Sequence, residues 1–288
     1  MRVAFLPRPP WSGPVGLTML VGLLVVCGLA ACSLITGPLP RGAERFAPPA
    51  MYARWWAMTE ACSGRSGNLG DVDWFRVPGS RLMRDGQWVG GYWNRYTNRI
   101  VLVEIGIDRG PLVRHEMLHA LLQTGGHPRS QFLAACASLV SCEEICIEDA
   151  GRWQLPRQDY VVLPPESLDV ASRAELLPRE SDGQRWFELE VSVRNPRARA
   201  VMVAAPGDPV TPPAFGFDLR GPSGGISGDD VATDSSTLFF QPFETKQWLF
   251  EFRVASDLSE YHISPGTYLV RGGYARRWSV YDTIAVSP

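Results

Sequence analysis

WFELEVSVRNP, residues 186–196, alternates apolar and polar side chains and ends on an Asn-Pro turn. A period of two puts one set of side chains on one face of a strand and the other set on the opposite face. The pattern recurs in AVMVAAPG (200–207), AFGFDLRGP (214–222), TLFFQPFETKQWLFEFRV (237–254), GTYLVRGGYARRWS (266–279) and YDTIAVSP (281–288). Gly, Pro and Asn turns separate these stretches, with no helical period of any length between them. The region 166–288 is therefore expected to be an all-β sandwich of roughly seven strands.

Working back towards the N-terminus, the character changes before about residue 155. MYARWWAMTEACSG (51–64) has helical spacing, with Tyr52, Trp55, Trp56 and Thr59 on one side and Gly64 as a stop. VDWFRVPGS (72–80) and QWVGGYWNRYTNRIVLVEIG (87–106) are aromatic and β-branched and read as strands, with turns at Pro78-Gly79 and Asp85-Gly86. DRGPLVRHEMLHALLQ (108–123) reads as a helix with Pro111 in its first turn and Gly125-Gly126 after its end, and PRSQFLAACASL (128–139) as another. The mixture over 51–155 predicts a small α+β domain ahead of the β-sandwich.

Compartment limits the chemistry. Arg2 and Arg8 precede an uncharged apolar run, Val15–Ala31, that closes on Leu29-Ala30-Ala31-Cys32. This resembles the lipobox of a bacterial lipoprotein signal peptide, which implies cleavage after residue 31 and a lipid on Cys32; a transmembrane anchor is the other reading of the run. Either way the rest of the chain is expected outside the cytoplasmic membrane. Ser33 after the cysteine leans towards the outer membrane. Residues 32–50, rich in Pro, Gly and Ala, form a tether. A formal net charge of −2 and no basic stripe argue against nucleic-acid binding. Oligomeric state is not legible.

Four cysteines follow Cys32: Cys62, Cys136, Cys142 and Cys146. An even number in an oxidising compartment suggests two disulfides, with three pairings possible. Cys62 with Cys136 is preferred, since it would tie the first helix to the segment after the histidines.

VRHEMLHALLQTGGHP (113–128) holds three of the four histidines in the chain. Residues i and i+4 of a helix share a face, so His115 and His119 aim two imidazoles at one point, as a tetrahedral zinc ion requires. Glu116 is placed to act on a water rather than on the metal. A chance HExxH is expected in roughly a few per thousand chains of this composition. The stretch resembles the zincin metallopeptidases. That resemblance implies one Zn²⁺, Glu116 as the catalytic base, and substrate binding along the preceding strand, Arg99, Ile100, Val101, Leu102, Val103 and Glu104. His127 lies eight residues after His119, so the spacing departs from the metzincin pattern and is closer to SprT-like zincins, in which a later phenylalanine, here Phe132, follows the third ligand. His127 is the preferred third ligand; Glu143 and Glu144 are the alternatives, in the manner of gluzincins.

Lesser candidates are Glu104 as an orienting carboxylate and Tyr92 or Tyr96 at an oxyanion. Arg114 reads as exposed or ion-paired, His262 as without a metal role, and Trp55 and Trp56 as core. The order of strands and turns in 166–288 is similar to immunoglobulin-like domains of the intracellular proteinase inhibitor type. The chain is thus expected to be a membrane-anchored zinc metallopeptidase acting on a peptide or protein in the cell envelope. The alternative is a non-catalytic envelope lipoprotein with a structural zinc; Glu116 separates the two, because only catalysis needs it.

Overall fold

In a computed structural model of the chain, the stretch 186–196 contains a nine-residue strand, Trp186–Arg194, with Phe187, Leu189, Val191 and Val193 fully buried. The structure describes residues 38–142, 146, 149–151, 159–203, 215–222, 224–230, 239–255, 262–275 and 277–288. The expected signal peptide, Cys32, and the glutamates Glu143 and Glu144 lie outside the described residues. Among the described residues no helix is long and apolar enough to cross a membrane.

The first part of the chain runs β1 (Glu44–Arg45), α1 (Met51–Ser63), β2 (Asp73–Val77), β3 (Leu82–Arg84), β4 (Gln87–Val89), β5 (Gly91–Asn94), β6 (Arg99–Val103) and α2 (Gly110–Leu122). One sheet has the order β1-β2-β6-β5, with β2 and β6 parallel and the other neighbours antiparallel. β3 and β4 form a separate hairpin. Its turn is Asp85-Gly86, with φ of 50° and 84°, the left-handed backbone that a two-residue hairpin turn favours. Gly64 ends α1 at φ 65°, returning its N–H to the Glu60 carbonyl. The helices bury Tyr52, Trp55 and Trp56 against Val113, Met117 and Leu121, and both pack on Trp74, Ile100 and Leu102 of the sheet.

The remaining strands are β7 (Tyr160–Leu163), β8 (Asp169–Leu176), β9 (Trp186–Arg194), β10 (Ala200–Val203), β11 (Phe215–Gly221), β12 (Gly224–Asp230), β13 (Phe239–Phe240), β14 (Thr245–Val254), β15 (His262–Ile263), β16 (Gly266–Tyr274), β17 (Arg277–Trp278) and β18 (Asp282–Val286). They form three sheets: β15-β14-β9-β8, β12-β11-β16 with β17 and β18 on β16, and β13-β10-β7. The largest apolar core lies among them, built from residues such as Phe187, Val191, Leu219, Phe250, Phe252 and Val270.

This corrects the expected architecture of a small α+β zincin-like domain followed by an immunoglobulin-like sandwich. The chain is mostly β, with several sheets. An immunoglobulin-type sandwich is two antiparallel sheets. Here a third sheet is present, and β7–β10 and β14–β15 pair in parallel. Arg41–Pro288 is one compact unit. Its second core crosses the expected divide, since Leu177 and Trp186 pack with α1 and α2, and the Trp55 and Trp186 rings meet edge-on at 5.2 Å.

The reason lies in the polar face of the β15-β14-β9-β8 sheet. Alternation predicts that such a face meets water, yet here it meets the helices. Glu251 of β14 is buried and accepts the Trp55 indole N–H at 2.7 Å. It also pairs with the Arg114 guanidinium, both side chains being 0% exposed. Glu188 of β9 takes Arg54 of α1 at 2.7 Å. Gly110 makes the approach possible: a Cβ there would sit 2.2 Å from Glu251 Oε2. Arg114, expected to be exposed or ion-paired, is ion-paired and fully buried. His262 binds buried Asp108 at 2.9 Å, beside Arg253 at 3.0 Å, and so ties the start of α2 to β14 and β15.

The disulfides are Cys62–Cys136, the preferred pairing, and Cys142–Cys146. They span sequence separations of 74 and 4 residues. By chain entropy the first constrains the unfolded state by about 4.5 kcal/mol and the second by about 2 kcal/mol. The helix expected over 128–139 is only a π-helical turn, Gln131–Ala135, closed by the Cys136 N–H on the Gln131 carbonyl at 2.8 Å.

Candidate metal centre

α2 carries His115, Glu116 and His119, and its C-terminal turn brings in His127. The reversal is made by Gln123, not by the glycines. Gln123 takes φ 54° and returns its N–H to the His119 carbonyl, whereas Gly125 and Gly126 have no left-handed φ. The His115 ring is fixed from the loop that follows: its Nδ1 meets the Ser141 carbonyl at 2.6 Å, and the Ser141 N–H returns to the Pro111 carbonyl at 3.1 Å.

The three Nε2 atoms form a near-equilateral triangle, 3.1 Å from His115 to His119, 3.2 Å from His119 to His127 and 3.2 Å from His115 to His127. Imidazole nitrogens about 2.0–2.1 Å from one tetrahedral zinc lie about 3.3 Å apart. Each Nδ1 has an acceptor: the Ser141 carbonyl, the Thr124 carbonyl at 2.8 Å, and Asp149 Oδ2 at 3.0 Å. A carbonyl only accepts, so each Nδ1 of His115 and His119 carries the proton and each Nε2 presents a lone pair. A cation resolves the convergence of lone pairs. Burial drives all three rings towards neutrality: His115 falls well below its usual value, His119 falls to about 3, and His127 falls with Asp149 opposing the shift. The described residues thus include a group that could hold a metal ion.

Phe132 underlies the group, with its ring 4.9–5.0 Å from all three imidazoles. Cys146 Sγ lies with His115 and His127, the donor atoms all within 4.8 Å of one another. Its disulfide to Cys142 leaves it no thiolate.

Glu116 is 4% exposed. Its carboxyl accepts the Trp93 backbone N–H, while Oε2 has no hydrogen-bond partner. Desolvation pushes its pKa up to about 8, against the Arg84 charge and the Trp93 hydrogen bond. The group opens on a cavity of about 650 Å³. The β3–β4 hairpin walls the far side with Arg84 and Trp88, and Gly91 and Tyr92 of β5 continue it. Arg84 stacks over Tyr92 at 4.0 Å and Arg81 over Trp88 at 4.5 Å.

Other expected site residues fall differently. Arg99–Glu104 was expected to bind substrate along the strand, but β6 lies between β2 and β5, is paired on both sides and offers no free edge. The terminal strand of that sheet on the cavity side is β5. Strand spacing reveals that strands exist, not their order, which is why this pairing was not foreseen. Glu104 is exposed and begins a 3₁₀ turn, outside the cavity wall. Tyr92 lines the cavity; Tyr96, 59% exposed, does not. Trp55 and Trp56 are core. Asp149 and Arg84 carry no motif and were not legible in advance; Cys146, expected only as a disulfide partner, also lines the cavity.

No protein-family model matches the chain, and no curated protein matches it. Among solved structures, it resembles Northeast Structural Genomics Consortium target SoR45 at 11% identity and TM-score 0.25, over 43% of this chain and 89% of that one. A Bordetella pertussis structure bearing the ApaA name aligns at 14% identity and TM-score 0.22, over 42% and 88%. Superpositions this weak carry no argument about fold or activity.

Proposed function

We propose that the chain is a zinc-dependent peptidase of the cell envelope, held to the membrane through a lipid on Cys32. One observation carries the reading: three converging imidazole nitrogens share a cavity wall with a buried carboxylate whose Oε2 has no partner. A structural zinc is closed by four protein ligands, whereas a catalytic one keeps a position for substrate or water. When bound, the ion supplies Lewis acidity at that position.

The residues of the chain do the rest. His115, His119 and His127 hold the ion, their rings oriented by Ser141, Thr124 and Asp149. In its ionised form, which a cation held beside it would favour against the burial that raises its pKa to about 8, Glu116 takes a proton from the attacking water and passes it to the leaving amine nitrogen. Burial raises the Tyr92 pKa against the charges of Arg84 and Arg99, so the phenol remains a hydrogen-bond donor. With Arg84 over its ring, it is suited to a developing oxyanion. The β5 edge suits an extended peptide. A Cβ at Gly91 would crowd Leu102 Cδ2 at 2.8 Å and the Val101 carbonyl oxygen at 3.1 Å, so the bare backbone suits this edge.

The purified chain should contain about one zinc per molecule, the load of a single mononuclear site. Glu116→Gln should keep that zinc and lose peptide cleavage by about 10²–10⁴-fold, scored on unfolded envelope proteins. Equal cleavage by the variant would remove Glu116 from the catalytic role, and zinc-loaded wild type that cleaves nothing would return the chain to a non-catalytic binding lipoprotein.

A further inference from the structure

We infer that Cys146 is a latent fourth metal ligand, withheld by its disulfide to Cys142, so that the redox state of this pair opens or closes the metal centre. The inference rests on the metal-centre reading above and adds a control to it. Two observations point to it. The sulfur of Cys146 already lies against the group, with its donor atom and those of His115 and His127 all within 4.8 Å. The same sulfur is bonded to Cys142, only four residues away, whereas Cys62–Cys136 spans 74. A bridge that short adds little constraint to the chain, so its loss leaves the fold to the longer one.

The geometry permits the change. A thiolate about 2.3 Å from zinc lies about 3.5 Å from imidazole nitrogens on the same tetrahedral ion, so Sγ, already within 4.8 Å of the His115 and His127 donor atoms, has about 1 Å to close on those two. Rotation between side-chain rotamers covers that distance once the bridge is cut. In the oxidised chain Cys146 offers no thiolate, three nitrogens face the cavity, and the fourth position stays available. In the reduced chain the thiolate takes that position, and three histidines with one cysteine make a closed site.

The chemistry balances with a dithiol as reductant. One dithiol gives two electrons and two protons to the Cys142–Cys146 bond, yielding two thiols, and leaves as its own disulfide. The Cys146 thiol then releases its proton to solvent as the sulfur coordinates. Re-oxidation by a disulfide compound reverses both steps.

Cobalt(II) reports the ligand change without any activity assay, because a coordinated thiolate adds a sulfur-to-cobalt charge-transfer absorption that imidazoles do not. The full chain with both disulfides intact should bind cobalt without that absorption. Cys142→Ser frees Cys146 in the absence of reductant and should bind cobalt with it. Cys142→Ser combined with Cys146→Ser should bind cobalt and lose it again, which also shows that the three-histidine site survives the substitutions. Wild type briefly treated with dithiothreitol and freed of it before cobalt is added should gain the absorption, and this arm serves if Cys142→Ser folds poorly. Cobalt binding by both wild type and Cys142→Ser with identical, thiolate-free spectra overturns this inference alone. Failure of every form to bind cobalt removes the metal-centre reading and this inference with it.

Discussion

Asp149 is the residue on which the proposed third ligand, His127, depends. Its Oδ2 accepts both the His127 backbone N–H at 2.6 Å and the ring Nδ1–H at 3.0 Å, which fixes the position and the tautomer of the ring together. Removing an outer partner of this kind costs about 10–100-fold in metal affinity. Asp149→Asn should weaken zinc by that factor, and His127→Ala by more, read by competition with a chelator. Unchanged affinity in Asp149→Asn would mean that the turn alone positions His127. His115, Glu116 and His119 were legible because a helix converts a spacing of four into a shared face. His127 was legible only as a candidate, since nothing in Gly-Gly-His-Pro says how the chain turns. Asp149, 22 residues beyond His127, has no periodic relation to it and could not be found from spacing.

Among elements, α2 shows how a helix can be held from outside its own sheet. Just before its start, Asp108 receives His262 of β15 and Arg253 of β14. Burial raises the Asp108 carboxyl, but the His262 hydrogen bond and the Arg253 charge outweigh it, and the net shift is downward. A carboxylate lowered in the folded state stabilises it fully above the unfolded pKa, about 3.9. That stability is lost as pH falls through the lower folded value. Asp108→Asn should therefore destabilise the chain at neutral pH and flatten its acid limb, measured as urea midpoints across the pH range. An acid limb as steep as that of wild type would place the titration elsewhere. Individual strands, the Asp85-Gly86 hairpin and the Gly64 stop were all readable, because each rests on local backbone preference. The order of strands was not, and so β6, expected to bind substrate, proved to be paired on both sides.

For the molecule as a whole, Arg114 and Glu251 matter most. They are separated by 137 residues, and both side chains have no exposure. Leaving one member of a buried pair uncompensated costs about 3–5 kcal/mol. Glu251→Leu should lose that much in urea unfolding, and Arg114→Met with Glu251→Leu should recover much of it, since no charge is then stranded. A double variant no better than the single one would show that the pair itself, not the stranded guanidinium, carries the stability. The sequence pattern misled here for a physical reason: in WLFEFRV the alternation is real, but a period of two cannot tell a polar face turned to water from one turned to another protein layer.

The span of these contacts also has a consequence in time. A ribosome delivers the histidines long before it delivers Glu251, and the Trp55 indole waits across 196 residues for its acceptor. Non-local contacts of this kind are the slow ones to form. The nascent chain therefore carries a half-built centre whose helix lacks its counter-ion until most of the polypeptide has emerged. Maturation of the centre is a late event, and any protein cut short before that strand carries the motif without the surroundings that hold it.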